Sequence, residues 1–495
     1  MELQFEKTAW PCLMTVAAQA KQEEQTQEVR LGDQMPDIGR VLGAWGQVLL
    51  RGKEWRSTGM TVSTGVMVWV LYAPEDGSEP RLVETWIPVQ LKWEFPETNH
   101  DGSILANCLL SMVDARSVSA RKLMVRTVVS VLGEAWMMDH GDVWLPGQVP
   151  EDVHLLKRKY PICLPREAGE KSFAIEETVS MPSAVEQLIR YSLRPEIVDT
   201  NVVAGKVVFR GNCRLHVLYI DQEGELHTYD QEFHFSQFAD LDGELDGDTQ
   251  VRVVPAVTNL ELDVDEVGQL QLKAGLLGQF VVSEQKLLEV VEDAYSNRRA
   301  VNVMKEAIQL PAQLDQATQT QRFTADENMS GERMVDLGFL CGHPRGERTE
   351  AGMNLEQSGV FQLLYRENGT LKGTTIRADS KWEIPAGDGV KIVASAVPVG
   401  DPQGTINGSR VDLRGDVEVH TVTTAEHGIN AVTGLNLGEM VQPDPDRPSM
   451  ILKRSGGQSL WELAKSAGST MEDITKINQL QGEPEDDRLL LIPVL

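Results

Sequence analysis

The sequence predicts a mainly β protein: three tandem antiparallel β-sandwich-like modules followed by a small βααβ unit. Three observations carry this. A short apolar strand ending in tyrosine occurs three times, at Val66–Tyr72, Leu215–Tyr219 and Phe361–Tyr365, with the tyrosines 147 and 146 residues apart. Each copy has a glycine before the tyrosine (Gly65, Gly211, Gly359) and another after it (Gly77, Gly224, Gly369). From Ser449 onward the apolar pattern changes from a period of two to a helical one.

The modules span 1–145, 146–297 and 298–440. Each opens on a Leu/Pro segment: Trp10-Pro11-Cys12-Leu13, Ile162-Cys163-Leu164-Pro165 and Ile308-Gln309-Leu310-Pro311. A polar hairpin is expected next, clearest at Gly169–Glu177. Side chains on a strand alternate faces. The tyrosine face (Val66, Val68, Val70, Tyr72; Cys213, Leu215, Val217, Tyr219; Phe361, Leu363, Tyr365) is apolar throughout, which assigns it to the core and makes the tyrosines packing residues. The opposite face varies, with Met67, Trp69 and Leu71 in the first copy against Arg214, His216 and Leu218 in the second. The first copy therefore buries that face better or uses it as an interface. The turns at Pro74–Gly77, Asp221–Gly224 and Glu367–Gly369 call for positive φ. A return strand follows, for example Glu225–Phe235. Further β-branched runs at Leu123–Leu132, Thr249–Thr258 with Leu270–Val282, and Val390–Val397 with Val411–Val422 bring each copy to about seven or eight strands. Polar stretches near Gly141–Tyr160 and Asp293–Lys305 read as linkers or short helices.

Three prolines between Gln442 and Pro448 make 441–448 a stiff linker. In the last unit, 449–495, Ile451-Leu452 is a short strand. Ser459-Leu460-Trp461-Glu462 forms a capping box at the start of a helix. Leu460, Leu463, Ala464 and Ala467 share one face of that helix, and Gly468 stops it. Thr470 caps a second helix, with Glu472 and Asp473 in its first turn and Met471, Ile474 and Ile477 as its apolar stripe. Leu489–Pro493 is the closing strand.

Composition narrows the function. The net charge of −28 repels phosphate backbones and anionic lipid, which argues against nucleic acid and favours basic or polar protein partners. The five cysteines (Cys12, Cys108, Cys163, Cys213, Cys341) have no metal-site spacing and read as reduced, mostly buried thiols of a cytoplasmic protein. Met1–Lys21 has no basic start followed by a long apolar core, so no signal peptide is expected. No window reaches the roughly 18 apolar residues of a membrane span, so no membrane insertion is expected.

No motif supports catalysis, a cofactor or a metal. Gly169-Glu170-Lys171-Ser172 lacks the spacing of a phosphate loop and reads as part of the hairpin. Asp240–Asp248 is dense in carboxylates, but Leu245 stands where a calcium loop needs glycine, so a solvated acidic loop is favoured. His216, His227 and His234 lie on neighbouring strands without counterparts in the other copies. No Ser/His/Asp or Cys/His set can be assembled. Trp86, Trp93, Trp136 and Trp144 are either core residues or partner anchors.

The last unit resembles the LysM domain, on Gly456 to Lys465, Ile474, Ile477-Asn478 and Leu491-Ile492-Pro493. The resemblance implies a groove of Gly456, Gly457, Gln458, Ser459 and Leu460 facing Asn478, Gln479 and Leu480, with Trp461 beside it as core or contact residue. Family members bind N-acetylglucosamine polymers there, so peptidoglycan is one implied partner. Two departures favour protein docking instead: Gly457-Gln458-Ser459 replaces the usual Gly-Asp-Thr, and the second loop carries Glu483, Glu485, Asp486 and Asp487. The three repeats resemble the SPOCS domain of spore-forming Firmicutes, on the Val-Leu-Tyr strand with its glycines, Gly169–Phe173, and Glu292-Asp293-Ala294-Tyr295-Ser296. SPOCS repeats followed by one LysM resemble the clostridial SipL-type family. That implies a non-catalytic adaptor in spore coat and cortex assembly, working in the mother cell at the forespore surface. Its LysM unit would dock onto a morphogenetic ATPase or another coat protein.

Overall fold

The structure, a computed structural model, describes every residue but 244, 246–247, 408, 443–446 and 495, and every side chain of the rest but those of 313–315 and 427. Parts of the Asp240–Asp248 loop and half of the proline-rich linker thus lie outside the described residues.

A short β1 (Glu2–Gln4) precedes β2 (Glu6–Arg30), β3 (Ile38–Arg56), β4 (Gly59–Pro74), β5 (Arg81–Glu94), β6 (Ser103–Ser119) and β7 (Lys122–Leu145). The second copy supplies β8 (Val153–Val179), β9 (Val185–Val203), β10 (Lys206–Asp221), β11 (Leu226–Asp240), β12 (Asp248–Val264) and β13 (Leu270–Ser296). The third supplies β14 (Arg299–Asn328), β15 (Arg333–Cys341), β16 (Arg345–Arg348), β17 (Gly352–Glu367), β18 (Thr370–Pro385), β19 (Lys391–Asn407) and β20 (Arg410–Met440). The chain ends in β21 (Met450–Arg454), α1 (Leu460–Ala467), α2 (Met471–Asn478) and β22 (Leu489–Pro493). Neither helix is long and apolar enough to cross a membrane.

The first two copies repeat one plan of six long strands, fewer than the spacing of the runs suggested; the third follows the same plan with its second strand broken into β15 and β16, both paired with β17, which brings it to seven. The first, last and fifth form one antiparallel sheet (β2-β7-β6; β8-β13-β12; β14-β20-β19), and the second, third and fourth form another (β3-β4-β5; β9-β10-β11; β15-β17-β18). Strands as long as 31 residues replace the expected breaks. Gly169–Glu177 is not a hairpin but the middle of β8, paired with β13 throughout. The stretches around Gly141–Tyr160 and Asp293–Lys305 are mostly strand, because their polar residues occupy the exposed edges of two-stranded ribbons. β1 pairs not with the first copy but with β20 of the third.

The tyrosine strand is the central strand of its sheet in every copy. Its tyrosine face is buried in three separate cores, as the alternation requires. The glycine before the tyrosine leaves room for an aromatic ring: a Cβ on Gly65 would sit 1.8 Å from Trp86, and one on Gly211 would sit 2.4 Å from Phe235. Flat ring-on-glycine contacts of this kind hold strand register. The glycine after it adopts positive φ, at +76° for Gly77, +82° for Gly224 and +74° for Gly369.

The modules do not string out; they close into a ring. Strand β3 contacts β12 of the second module, and β15 contacts β6 of the first. Arg194 of β9 donates to Gly400 O at 2.7 Å, and Arg214 of β10 pairs with Asp401 at 3.0 Å, both on β19. Each module thus meets the next and the third meets the first, the head-to-tail arrangement that closes a rotation. Two apolar clusters join all three. In one, Leu71, Leu218 and Leu364, the residues just before the three tyrosines, pack with Leu42, Trp45 and Ile189. In the other, the Leu/Pro segments meet: Cys12, Ile162, Leu164, Ile308 and Leu310 pack with Val143, Trp144, Leu288 and Leu435 from the far ends of the ribbons. The variable face of the first copy is indeed an interface, since Trp69 packs into the second core with its ring 4.7 Å from that of Tyr191.

Polar groups make the three joints distinct. Arg190 and Asp336 stand opposite the equivalent Leu218 and Leu364 in their sheets. They form a buried pair at 2.7 Å, with the Arg190 guanidinium 5.5 Å from the Trp45 ring. His216 bridges Asp336 at 3.1 Å and Asp230 at 2.7 Å. Burial pushes Asp336 up, but the Arg190 charge and the His216 hydrogen bond outweigh it and hold the carboxyl well below the usual range. Between the first and second modules Arg252 forks onto Glu134 at 2.7 and 2.5 Å. Between the first and third, fully buried His343 donates from Nε2 to Asn107 O at 2.9 Å and accepts at Nδ1 from the Ala396 N–H at 3.1 Å.

Candidate docking site

The C-terminal unit follows its local sequence closely. Both halves of the capping box form, with Ser459 Oγ accepting from Glu462 N and Glu462 accepting from Ser459 N at 2.9 Å. Gly468 ends α1 at φ +66°, and Thr470 caps α2 by accepting from Asp473 N at 3.0 Å. Leu460, Leu463, Ala464 and Ala467 are buried against Leu490 and Ile492. The stripe expected on α2 is only partly buried: Ile474 is, whereas Met471 and Ile477 stay exposed, because a single two-stranded sheet is too narrow to cover both ends of that helix.

Trp461 is a contact residue, and its contact is the protein's own second module. Its Nε1 donates to Asp293 Oδ2 at 2.8 Å, and Lys465 Nζ reaches the same oxygen at 2.6 Å. The Tyr295 ring meets Trp461 edge-on at 4.8 Å, and its hydroxyl donates to Ser469 O at 2.7 Å. Burial raises the Asp293 carboxyl, but the hydrogen bonds from Lys465 and Trp461 outweigh this and hold it below its ordinary value. Burial pushes the Tyr295 hydroxyl up to about 12, so it stays a donor. The unit is therefore seated on the ribbon end of β13 through α1, rather than swinging on a linker. Sequence reasoning missed this seat. Asp293 and Tyr295 stood out only as part of a family-like motif, and their partners Trp461 and Ser469 lie 168 and 174 residues farther along the chain.

Among the residues expected to line a groove, some polar groups are already committed within the unit. Gly456, Gly457, Gln458 and Gln479 are exposed, Ser459 and Leu480 are half-buried, and Leu460 is buried. The Leu460 N–H, at the start of α1, donates to Glu483 Oε2 of the opposite loop at 2.7 Å. Asn478 ties α2 to β22, with Nδ2 donating to Ile474 O and Leu491 O at 2.8 and 2.6 Å and Oδ1 accepting from Leu491 N at 2.8 Å.

The other candidates resolve separately. Trp93 and Trp144 are core residues, Trp136 is half-buried and Trp86 is 40% exposed. His227 pairs with Asp221 and His234 with Asn212, apart from the His216 network, so the three histidines share no ligand. A cavity of about 1520 Å³ lies where the three modules meet, lined by four of the cysteines, Cys12, Cys108, Cys163 and Cys341. All five cysteines are free thiols, and burial pushes Cys108 and Cys341 up to about 12, which keeps them protonated and unreactive.

Residues 184–265 match the family model described as SipL, SPOCS domain. The match covers β9 to β12, including the second tyrosine strand, and leaves out the long ribbon strands β8 and β13 with the Gly169–Phe173 and Glu292–Ser296 motifs. No curated protein and no solved structure matches the chain.

Proposed function

We propose that this chain is a non-catalytic adaptor of the sporulation type, whose three β modules form a rigid ring that presents the βααβ unit as a LysM-like docking head. The observation that carries the reading is the fixed seat of the head: Trp461, Lys465 and Ser469 are bound to Asp293 and Tyr295, while the carboxylates of the acidic second loop stay exposed. The SPOCS match within the second module, the same module that carries the seat, supports a place in spore-envelope assembly. A mother-cell location at the forespore surface belongs to the same proposal.

Partner choice follows from charge. Glu483, Glu485, Asp486 and Asp487 favour a basic protein surface, and the Glu483 side chain already takes the Leu460 N–H. Of the two partners that the resemblance implies, the morphogenetic ATPase of the forespore surface is therefore proposed ahead of peptidoglycan. Binding of the full chain to each, measured by co-sedimentation with purified peptidoglycan and with the ATPase, tests this. Retention by the ATPase alone supports the proposal; retention by peptidoglycan alone overturns it.

A further inference from the structure

The geometry points to the outward face of the β21–β22 sheet, not the groove, as the surface by which the head takes its partner, a protein segment with an apolar ridge flanked by basic side chains. This rests on the reading of the unit as a protein-docking head and names the face it uses.

The pairing register sorts the side chains. Leu490 and Ile492 point to the helices and are fully buried, as is expected of the inner face. Met450, Leu452, Leu489 and Leu491 lie on the other face, with Leu452 directly opposite Leu491. They are 48%, 61%, 52% and 43% exposed. Four adjacent aliphatic side chains in water on a sheet of two five-residue strands form a contiguous apolar patch, and such patches mark interaction sites. The body does not cover it, because the head is seated through α1 on the opposite side of its sheet.

Charge decides the occupant. The acidic loop borders one end of the patch: Arg454, opposite Leu489 on the same face, donates to Asp487 O at 3.3 Å. Glu485, Asp486 and Asp487 are exposed, and no ion pair among the described residues involves them. A second copy would bring like loops together under a net charge of −28 per chain. A basic-flanked apolar segment satisfies both the patch and the loop.

The test uses the full chain with two probes, the purified coat ATPase and a synthetic ten-residue peptide of alternating leucine and lysine. Leu452→Asp and Leu491→Asp are compared with the charge-neutral Gln458→Ala on the other side of the unit, each first checked for unchanged thermal unfolding. The expected result is at least a tenfold loss of affinity for both probes in the sheet-face variants, and less than a twofold change in Gln458→Ala. Equal binding by sheet-face variants and parent overturns the proposed face, even if the ATPase proves to be the partner. If the ATPase does not bind the parent chain, the named partner fails, and the peptide arm alone decides the face. Concentration-dependent dimerisation that Leu452→Asp abolishes would overturn the basic partner in favour of a second copy.

Discussion

His343 sits at the closing joint of the ring, and its protonation should open that joint. Its backbone N–H donates to Ser130 Oγ at 3.0 Å, Nε2 donates to Asn107 O, and Nδ1 accepts from Ala396 N–H. Protonating Nδ1 would set one N–H against another in a site that is 1% exposed. Burial accordingly lowers its pKa from 6.5 to about 4. The folded value is depressed, so the unfolded chain binds the proton first. The neutral histidine contributes its full stability above the unfolded pKa, and this is lost as pH falls from about 6.5 towards 4. The shift corresponds to about 3 kcal/mol at 1.36 kcal/mol per unit. His154 and His420 are also lowered by burial and act in the same direction, whereas His216 is raised and acts in the opposite one. A difference measurement isolates His343: urea unfolding at pH 7, 6, 5 and 4 for the parent and His343→Gln. The parent should lose about 3 kcal/mol more than the variant across this range. Parallel curves would refute the reasoning, because the proton would then bind elsewhere.

Other perturbations read the remaining joints. Asp336→Ala leaves Arg190 buried without its partner and should cost about 3–5 kcal/mol, whereas the paired change Arg190→Met with Asp336→Leu should be near neutral; chemical denaturation of the three variants checks both. Leu218→Ala, on the common axis, should destabilise by about 2–5 kcal/mol and raise hydrogen exchange at the equivalent strands of all three modules. Asp293→Ala removes the shared acceptor of Trp461 and Lys465 and should weaken the seat of the head by about 1–3 kcal/mol, seen as faster exchange in α1 with the module cores unchanged.

Much of the module was legible because it is local. The alternation around Tyr72, Tyr219 and Tyr365 fixed which face is core. Ser459 and Thr470 marked helix starts through side chains three residues from their partners, and Gly468 marked a helix end through its positive φ. The ribbons were not legible, since the edge positions of a two-stranded ribbon look as polar as a linker or a short helix. The ring was hidden for a different reason. Leu71, Leu218 and Leu364 were visible as apolar, but nothing in a single repeat says that its outer face meets two other copies. The seat of the head likewise depends on Asp293, an ordinary acidic residue in the sequence, meeting an indole and an ammonium far along the chain. In the C-terminal unit the hydrogen bond from the Leu460 N–H to Glu483 was not legible either, because it joins two loops 23 residues apart.

The closed ring is the claim on which the placement of the head depends, and small-angle X-ray scattering of the full chain tests it most directly. Three modules packed around a common axis give a smaller radius of gyration than the same three in a row, whose outer members lie farther from the centre of mass. A monomer near the smaller value supports the ring. A value near the larger one, with the extended pair distribution of beads on a string, would contradict it.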